Sequence, residues 1–234
     1  MSKSIISFIF LMVFTLGFSQ EKNAAMPKVN LDSIVYKTAY GLRLGIDISK
    51  PIIGAFSDTY NGYEVVGDYR ISKNFYLAAE IGFEKATTIE DYTNSTSKGS
   101  YLRIGFNYNN FENWLDMNNE IFTGVRYGLG IFEQRLNSYT PNANSTYFPS
   151  QSIENPMSES GLMAHWTELL LGIKVETFKN VFVSASVSYK ILISVNDQKN
   201  FKSLSAPGFN RIFDSGTGFG FNYTLSYLIP FSKK

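Results

Sequence analysis

The sequence predicts an all-β fold, an eight-stranded antiparallel transmembrane β-barrel, on three observations. In residues 41–49, apolar side chains alternate with polar or small ones, from Leu42 and Arg43 to Ile48 and Ser49. Since successive side chains of a strand point to opposite faces, this segment has one apolar and one charged face. The pattern returns in about eight segments, and an export signal precedes them. A closed barrel with lipid outside and charges inside accounts for all three observations.

The first residues are typical of a secretory signal peptide. Lys3 supplies the positive start, an apolar run follows, and Ser19 satisfies the small-residue rule for cleavage. The apolar run is shorter than the ~18 residues of a spanning helix. We therefore expect a signal peptide over residues 1–19, a periplasmic leader over 20–35 and the barrel over 36–234.

Four strands are predicted in the first half of the barrel, at about residues 37–49, 63–71, 75–84 and 100–108. The third is the clearest, since every second position over ten residues is apolar. Its apolar face consists of Phe75, Leu77, Ala79, Ile81 and Phe83. Most of the eight segments are close to the ~9–11 residues that a tilted strand needs to cross a bilayer.

Four more strands are predicted in the second half, at about residues 119–129, 167–177, 181–193 and 218–231. The last one carries large apolar side chains at every second position, namely Phe219, Phe221, Tyr223, Leu225, Tyr227, Ile229 and Phe231. A count of ten strands is the alternative. It requires a further hairpin within residues 130–166 or 194–217.

The predicted connections alternate between short and long. Residues 72–74 and 178–180 are tight turns, and residues 109–118 form a link of intermediate length. The other four connections, at about 50–62, 85–99, 130–166 and 194–217, are long and polar. Outer-membrane barrels have short periplasmic turns and long extracellular loops. We therefore expect both termini in the periplasm and the long loops outside the cell.

Alternation alone does not decide which face is buried, because a soluble lipocalin-like barrel turns its apolar face inward. Glycine is frequent on the polar face, at Gly45, Gly82, Gly105, Gly124, Gly128 and Gly172. Glycine weakens a strand and has no use on a wet exterior, but it makes room in a narrow lumen. The apolar faces contain no Asp, Glu, Lys or Arg. A lipid face requires this, since a mid-bilayer Lys or Arg costs about 2–4 kcal/mol.

The polar faces carry acids and bases that we expect to form one charge network in the lumen. The bases are Arg43, Arg70, Arg103, Arg126, Lys174 and Lys190, and the acids are Asp47, Glu64, Asp68, Glu80, Glu84, Glu120, Glu168 and Glu176. A barrel of eight strands is just wide enough inside to be filled by side chains. We therefore predict a packed lumen that solutes do not cross freely.

Three stretches resemble an uncharacterised family of outer-membrane β-barrels from Gram-negative bacteria of the Bacteroidetes group, namely residues 36–43, 68–76 and 117–120. The last strand, which ends at Phe231, resembles the strand that such barrels present to the barrel assembly machinery, although three residues follow the aromatic one. The resemblance implies a meander like that of OmpA- and OmpX-type barrels, and contact with outer-membrane lipid and lipopolysaccharide. It carries over no catalytic or ligand-binding residue.

Composition excludes several function classes. The chain has no cysteine, which excludes a lipid-modified cysteine, disulfides and thiolate metal sites. Its net charge of +1 gives no footprint for nucleic acid. Carboxylates could bind Ca²⁺, but no spacing resembles a calcium loop. No metal and no cofactor are predicted.

The favoured function is a non-enzymatic barrel that displays loops to an unknown extracellular ligand. The 130–166 and 194–217 loops carry aromatic residues among small polar ones, namely Tyr139, Tyr147, Phe148, Phe201, Phe209 and Phe213. Such residues suit contact with protein or glycan. The alternative is that the loops pack on each other.

Two other functions stay open. The chain has one histidine, His165, and Thr167 shares its strand face, so a lipid A deacylase-like enzyme would need a glutamate such as Glu84 or Glu120 to orient the imidazole. The small deacylase barrels have a serine where Thr167 stands. A narrow ion pore is the third possibility, if the internal acids and bases rearranged to open a water path.

Overall fold

The structure, a computed structural model, describes residues 39–112, 118–141, 152–154, 156–197 and 201–233. The strands are β1 (Ala39–Asp47), β2 (Tyr60–Arg70), β3 (Phe75–Ile89), β4 (Thr93–Asn109), β5 (Glu120–Tyr139), β6 (Met157–Phe178), β7 (Val181–Val195), β8 (Ser205–Ala206), β9 (Asn210–Arg211) and β10 (Thr217–Lys233). One helix, α1 (Ser49–Phe56), follows β1. The predicted signal peptide and leader lie outside the described residues.

Eight of these strands form a closed antiparallel barrel in the order β1-β10-β7-β6-β5-β4-β3-β2. Each barrel strand pairs with the barrel strands that precede and follow it, and the last strand closes the ring by pairing with the first, for example through Leu42 and Ile229. The predicted all-β class and the ring of eight antiparallel strands are confirmed. No helix within the described residues has the length and apolar character to cross a membrane.

The two faces of the strands differ in the way that the alternation predicts. On β5, Ile121 and Ile131 are 50% and 54% exposed on the outer face, whereas Arg126 on the inner face is 2% exposed. Between these isoleucines the outward positions carry no Asp, Glu, Lys or Arg. Ten residue steps of about 3.3 Å, tilted by roughly 40°, span about 25 Å, which is the height of a lipid-facing apolar band.

Several strands are longer than predicted, and the 85–99 segment is not a long loop. β3 continues to Ile89 and β4 begins at Thr93, so only residues 90–92 connect them. β5 and β6 likewise extend to Tyr139 and start at Met157, well into the predicted 130–166 loop. Beyond the apolar band the outward positions become polar, as at Lys98 on β4 and Glu133 on β5. The alternation that marks a strand in the sequence therefore ends before the strand itself does.

Two further elements were missed in the predicted loops. The 50–62 loop contains α1, whose first residue Ser49 donates its backbone N–H (2.8 Å) and its hydroxyl (2.7 Å) to the Asp47 carboxylate. The 194–217 loop contains the β8–β9 hairpin, which is separate from the barrel sheet. The chain thus has ten strands within the described residues, but the barrel has eight.

Candidate functional site

The barrel interior is the candidate site, and its charges form three clusters along the lumen. The turn-side cluster (Arg43, Asp68, Glu120, Lys174) lies nearest the short turns. Arg43 Nε lies 2.5 Å from Asp68 Oδ1, and Arg43 Nη1 lies 2.6 Å from Glu120 Oε1. Lys174 Nζ lies 2.5 Å from Asp68 Oδ2. Every member of this cluster therefore has an oppositely charged partner.

Aromatic rings flank the turn-side cluster. The Arg43 guanidinium carbon lies 4.6 Å from the ring centre of Tyr76 and 5.1 Å from that of Phe182. A desolvated cation over an aromatic ring gains about 2 kcal/mol or more. The rings thus exclude water from the guanidinium and also stabilise its charge.

The central cluster (Glu64, Glu80, Arg103, Arg126, Glu168) is organised around one arginine. Arg103 lies 2.6 Å from Glu64, 2.8 Å from Glu80 and 3.2 Å from Glu168, although the Glu80 contact lacks hydrogen-bond alignment. Arg126 pairs with Glu80 at 3.1 Å. Arg103 therefore links three carboxylates on three different strands. Removal of Arg103 would leave the three carboxylates with less positive charge nearby to offset their own.

The mouth cluster (Lys50, Glu84, Lys190, Gly208) joins the barrel wall to the elements above it. Lys50 on α1 lies 2.5 Å from Glu84. The other Glu84 oxygen accepts the Gly208 N–H at 2.7 Å, and Lys190 donates to the Gly208 carbonyl at 2.5 Å. Both polar groups of the Gly208 backbone are therefore held by wall side chains. Burial by itself lowers the pKa of Lys50, but Glu84 and Glu64 outweigh it, so the pKa lies above its ordinary value.

The tip of the β8–β9 hairpin enters the barrel mouth, and we call residues 206–209 the mouth plug. Phe209 is fully buried and packs edge-to-face on Trp166 at 6.0 Å between ring centres. The surrounding apolar cluster consists of Tyr101, Phe132, Leu162, Ala164, Trp166, Ala206 and Phe209. This cluster closes the lumen at the loop end.

Glycines on the inner face provide the space for these rings. A Cβ on Gly82, Gly128 or Gly172 would overlap the ring of Tyr101, Trp166 or Phe122, respectively. At the plug, Gly208 has φ +79°, and a Cβ there would lie 2.6 Å from Tyr101 Cγ. The frequent glycines of the polar face thus admit large side chains into a narrow lumen.

The buried charges are close to balance. Among the described residues the interior bases are Arg43, Lys50, Arg103, Arg126, Lys174 and Lys190, and the interior acids are Asp47, Glu64, Asp68, Glu80, Glu84, Glu120 and Glu168. The seventh acid, Asp47, accepts a hydrogen bond from Asn222 at 2.6 Å as well as those from Ser49. Burial of charged side chains costs desolvation free energy. Opposite charges and hydrogen bonds offset that cost when the set is almost balanced, as it is here.

Twelve of the fourteen residues predicted for the lumen network are buried inside the barrel. The other two, Arg70 and Glu176, lie outside these clusters at the turn end. Arg70 donates to the carbonyls of Ser72 and Lys73, and Glu176 accepts from Asn118 and Asn180. Both belong to the inward parity, but they stand where the strands meet the turns and the backbone supplies partners.

The catalytic arrangement considered from the sequence does not form. His165 lies on the outer face, where its Nδ1 is 2.8 Å from the Tyr127 hydroxyl. Glu84 and Glu120 are buried on the inner face and are bonded to Lys50 and Arg43. The barrel wall therefore separates the histidine from both glutamates. The described residues contain no group of three or more His, Asp or Glu that could hold a metal ion.

Sequence reasoning missed the parts of the site that lie in the loops. Lys50 lies in a segment that the sequence predicts as a loop. Phe209 fills the mouth, which agrees with the alternative that the loops pack and not with contact to a ligand. The dipeptide Pro207–Gly208 is a turn signal that could have indicated the hairpin. Tyr147 and Phe148 lie outside the described residues.

A cavity of about 40 Å³ remains between the turn-side and central clusters, lined in part by Asp68, Glu80, Arg126, Lys174 and Asn222. It has room for roughly three water molecules. Its polar lining suits water and offers no space for a larger solute.

The chain belongs to the family described as "Domain of unknown function (DUF6048)", whose model matches residues 1–234. The expected membership of an uncharacterised family is confirmed to that extent. No curated protein matches the sequence. Among solved structures, the chain is similar to Ail, the attachment invasion locus protein of Yersinia pestis, with 9% identity and a TM-score of 0.40, over 81% of this chain and 96% of that one.

Proposed function

We propose that this protein is an integral outer-membrane β-barrel of a Gram-negative bacterium, with a filled lumen that does not conduct. Its role is non-enzymatic. The wall anchors a closed surface, formed by α1 and residues 201–216, for contact with an extracellular ligand. In this orientation the short turns and both termini face the periplasm, after removal of a signal peptide over residues 1–19.

One observation carries the membrane assignment, namely that large apolar side chains are exposed around the whole barrel while the acids and bases within the apolar band are buried inside it. A monomer in water rarely exposes a contiguous apolar patch of more than a few hundred Å². Here the exposed positions extend over all eight barrel strands. Lipid is the surrounding medium that makes this surface favourable.

Fractionation and vesicle flotation test the assignment. We expect the full-length protein to be processed, recovered with the outer membrane, and extracted only by detergent. Purified protein should float with phosphatidylcholine vesicles and keep its strand content. A folded monomer that stays dissolved without detergent would contradict the assignment.

The filled lumen supports the non-conducting proposal over the pore. Ion pairs join strands across the interior, and the mouth plug lies above them. Planar-bilayer recordings on purified protein should show no steady conductance. A stable open level would instead favour the narrow pore.

The geometry gives little support to an acyl hydrolase, because His165 contacts a tyrosine and no carboxylate among the described residues. Replacement of His165 with Ala should leave the acylation of lipid A in intact cells unchanged. A shift in lipid A acylation would revive the enzyme hypothesis.

A further inference from the structure

We infer that the outer face of β3 and β4 carries a binding site for an acyl lipid with a phosphate headgroup, in which Lys85 and Lys98 hold the phosphate. This inference rests on the proposed membrane location. It adds a ligand, a place on the wall and the residues that recognise the headgroup.

The first observation is a pair of lysines placed directly opposite each other. Lys85 on β3 and Lys98 on β4 are cross-strand partners, and both side chains are exposed on the outer face. Like charges that stand directly opposite on neighbouring strands repel each other and destabilise the sheet. An anion bound between the two ammonium groups would turn that repulsion into attraction.

The second observation is that neither lysine has a partner. Within the part of the chain that the structure describes, Lys85 and Lys98 make no side-chain hydrogen bond and no ion pair. Glu133 is the cross-strand partner of Lys98 on β5, yet the two form no salt bridge. The interior bases of the same barrel, by contrast, all contact carboxylates or carbonyls. The lysine pair is therefore available to a ligand.

The third observation is the position of the pair relative to the apolar band. Phe83 and Ser100 lie on the same face, two residues closer to the turns than the lysines. From there the outward positions of both strands are uncharged as far as Phe75 and Tyr108. The pair thus lies at the loop-side margin of the band. In the proposed orientation, the headgroups of the outer leaflet lie at this height.

An apolar groove of about 500 Å³ lies beside the lysine pair on the outer wall. Its outward-facing lining, on β1 to β4, includes Ile46, Tyr63, Val65, Ile81, Phe83 and Ser100. Phe83 and Ser100 are the next outward residues after Lys85 and Lys98, so the lysines stand at the loop-side edge of the groove and are not part of its lining. A cationic pair above an apolar groove matches an amphiphile with a phosphate above an acyl chain. A free anion would make no apolar contact with the groove, and an uncharged lipid would form no ion pair with the lysines.

Among the outward-facing barrel-strand residues that the structure describes, the exposed bases at the loop end, namely Lys85, Lys98 and Arg135, lie on the neighbouring strands β3, β4 and β5. Arg135 on β5 is exposed on the same face and is a diagonal neighbour of Lys98, since its own partner on β4 is Thr96. At the same end of β7 and β10, the outward side chains include Ile191, Ile193 and Phe219. A general attraction to anionic lipid would not require the bases to lie on neighbouring strands. Their clustering on β3 to β5 therefore favours a single binding site.

The test compares lipid binding by the full-length barrel in detergent with that of two double variants. K85Q/K98Q removes both charges of the proposed site. K73Q/K179Q removes two exposed lysines from the turns at the other end of the barrel and is the matched control. Native mass spectrometry with added lipid A and with dephosphorylated lipid A gives the apparent Kd for each protein.

We expect K85Q/K98Q to bind lipid A roughly 30-fold more weakly than the wild type, the loss expected for two lysines at an anionic lipid surface. The control should bind like the wild type, and the dephosphorylated lipid should bind all three proteins equally weakly. Equal binding of lipid A by wild type and K85Q/K98Q would overturn the inference. Displacement of lipid A by inorganic phosphate alone would also overturn it, because the ligand would then be the free anion.

A third variant guards against a change in folding. K85E places a carboxylate opposite Lys98, so we expect weak lipid A binding and a thermal stability no lower than that of the wild type. Flotation with neutral phosphatidylcholine vesicles separates this inference from the proposed function. If wild type and variants float but bind lipid A alike, only the inference fails. If the wild type does not float, both fail.

Discussion

The inner and outer faces of the barrel are built by the same strands, and yet they follow different rules. On β5, Val125 is 53% exposed and the next residue, Arg126, is 2% exposed. The outer face needs only apolar side chains of suitable size, so many residues serve equally well at each position. The inner face needs particular partners, because each buried charge must find its counterpart. One missing partner therefore costs more inside the barrel than one altered contact outside it.

The largest expected effect comes from breaking the inner face at Arg103. Arg103→Met should lower the free energy of unfolding by about 3–5 kcal/mol, since it leaves Glu64, Glu80 and Glu168 undercompensated in a buried site. The matched control is Arg135→Met, which removes an exposed arginine of the outer face and should change stability by less than about 0.5 kcal/mol. Urea unfolding in detergent measures both. Equal losses would mean that the inner face is not specially constrained.

A charge placed in the middle of the outer face should come next. Val125→Arg is expected to cost about 2–4 kcal/mol in a lipid bilayer, because Val125 lies near the middle of the apolar band. Ile131→Arg at the margin of the band should cost no more than about 1 kcal/mol. Unfolding from lipid vesicles measures the difference. Equal losses of unfolding free energy for the two substitutions would mean that the cost of a charge on the outer face does not depend on its depth in the bilayer.

Overpacking the inner face should have a smaller effect. Gly82→Ala introduces a Cβ that overlaps the Tyr101 ring, and we expect a loss of about 1–3 kcal/mol. Gly67 lies at an outward position, where a Cβ would approach the flexible Leu44 side chain at 3.3 Å. Gly67→Ala should therefore leave the stability nearly unchanged. Thermal unfolding in detergent measures both variants. A neutral Gly82→Ala would show that Tyr101 is free to move aside.

The smallest expected effect concerns the salt bridge between Lys50 on α1 and Glu84 at the barrel mouth. Because the folded-state pKa of Lys50 lies above its ordinary value of 10.5, its attraction to Glu84 is fully present below that pH and is lost only as the pH rises through the higher folded value. Protection of α1 from limited proteolysis should thus be constant between neutral and mildly alkaline pH. Lys50→Met should reduce it at every pH in that range. Loss of protection at mildly alkaline pH would contradict the raised pKa.

The outer face could be predicted from the sequence because an apolar outer face and a polar lumen impose a period of two on each barrel strand. That constraint ends at the margin of the band, so the alternation predicts loops at the outer ends of β3, β4, β5 and β6. The lumen residues followed from the same period. Arg70 and Glu176 share that parity, but Arg70 donates to turn carbonyls and Glu176 accepts from the Asn180 N–H and the Asn118 side chain. The mouth was not predictable, since Lys50 and Gly208 reach Glu84 through tertiary contacts that no local pattern encodes.

The central claim is that the two parities of each strand face lipid and a closed interior. The native chain has no cysteine, so single cysteines can be placed in turn at residues 121–131 of β5 and labelled with a fluorophore in vesicles. Quenching by lipid-borne nitroxides should alternate with a period of two, strong at the odd positions and weak at the even ones. Odd positions that are instead quenched by a water-soluble agent, and untouched by the lipid-borne one, would contradict the account.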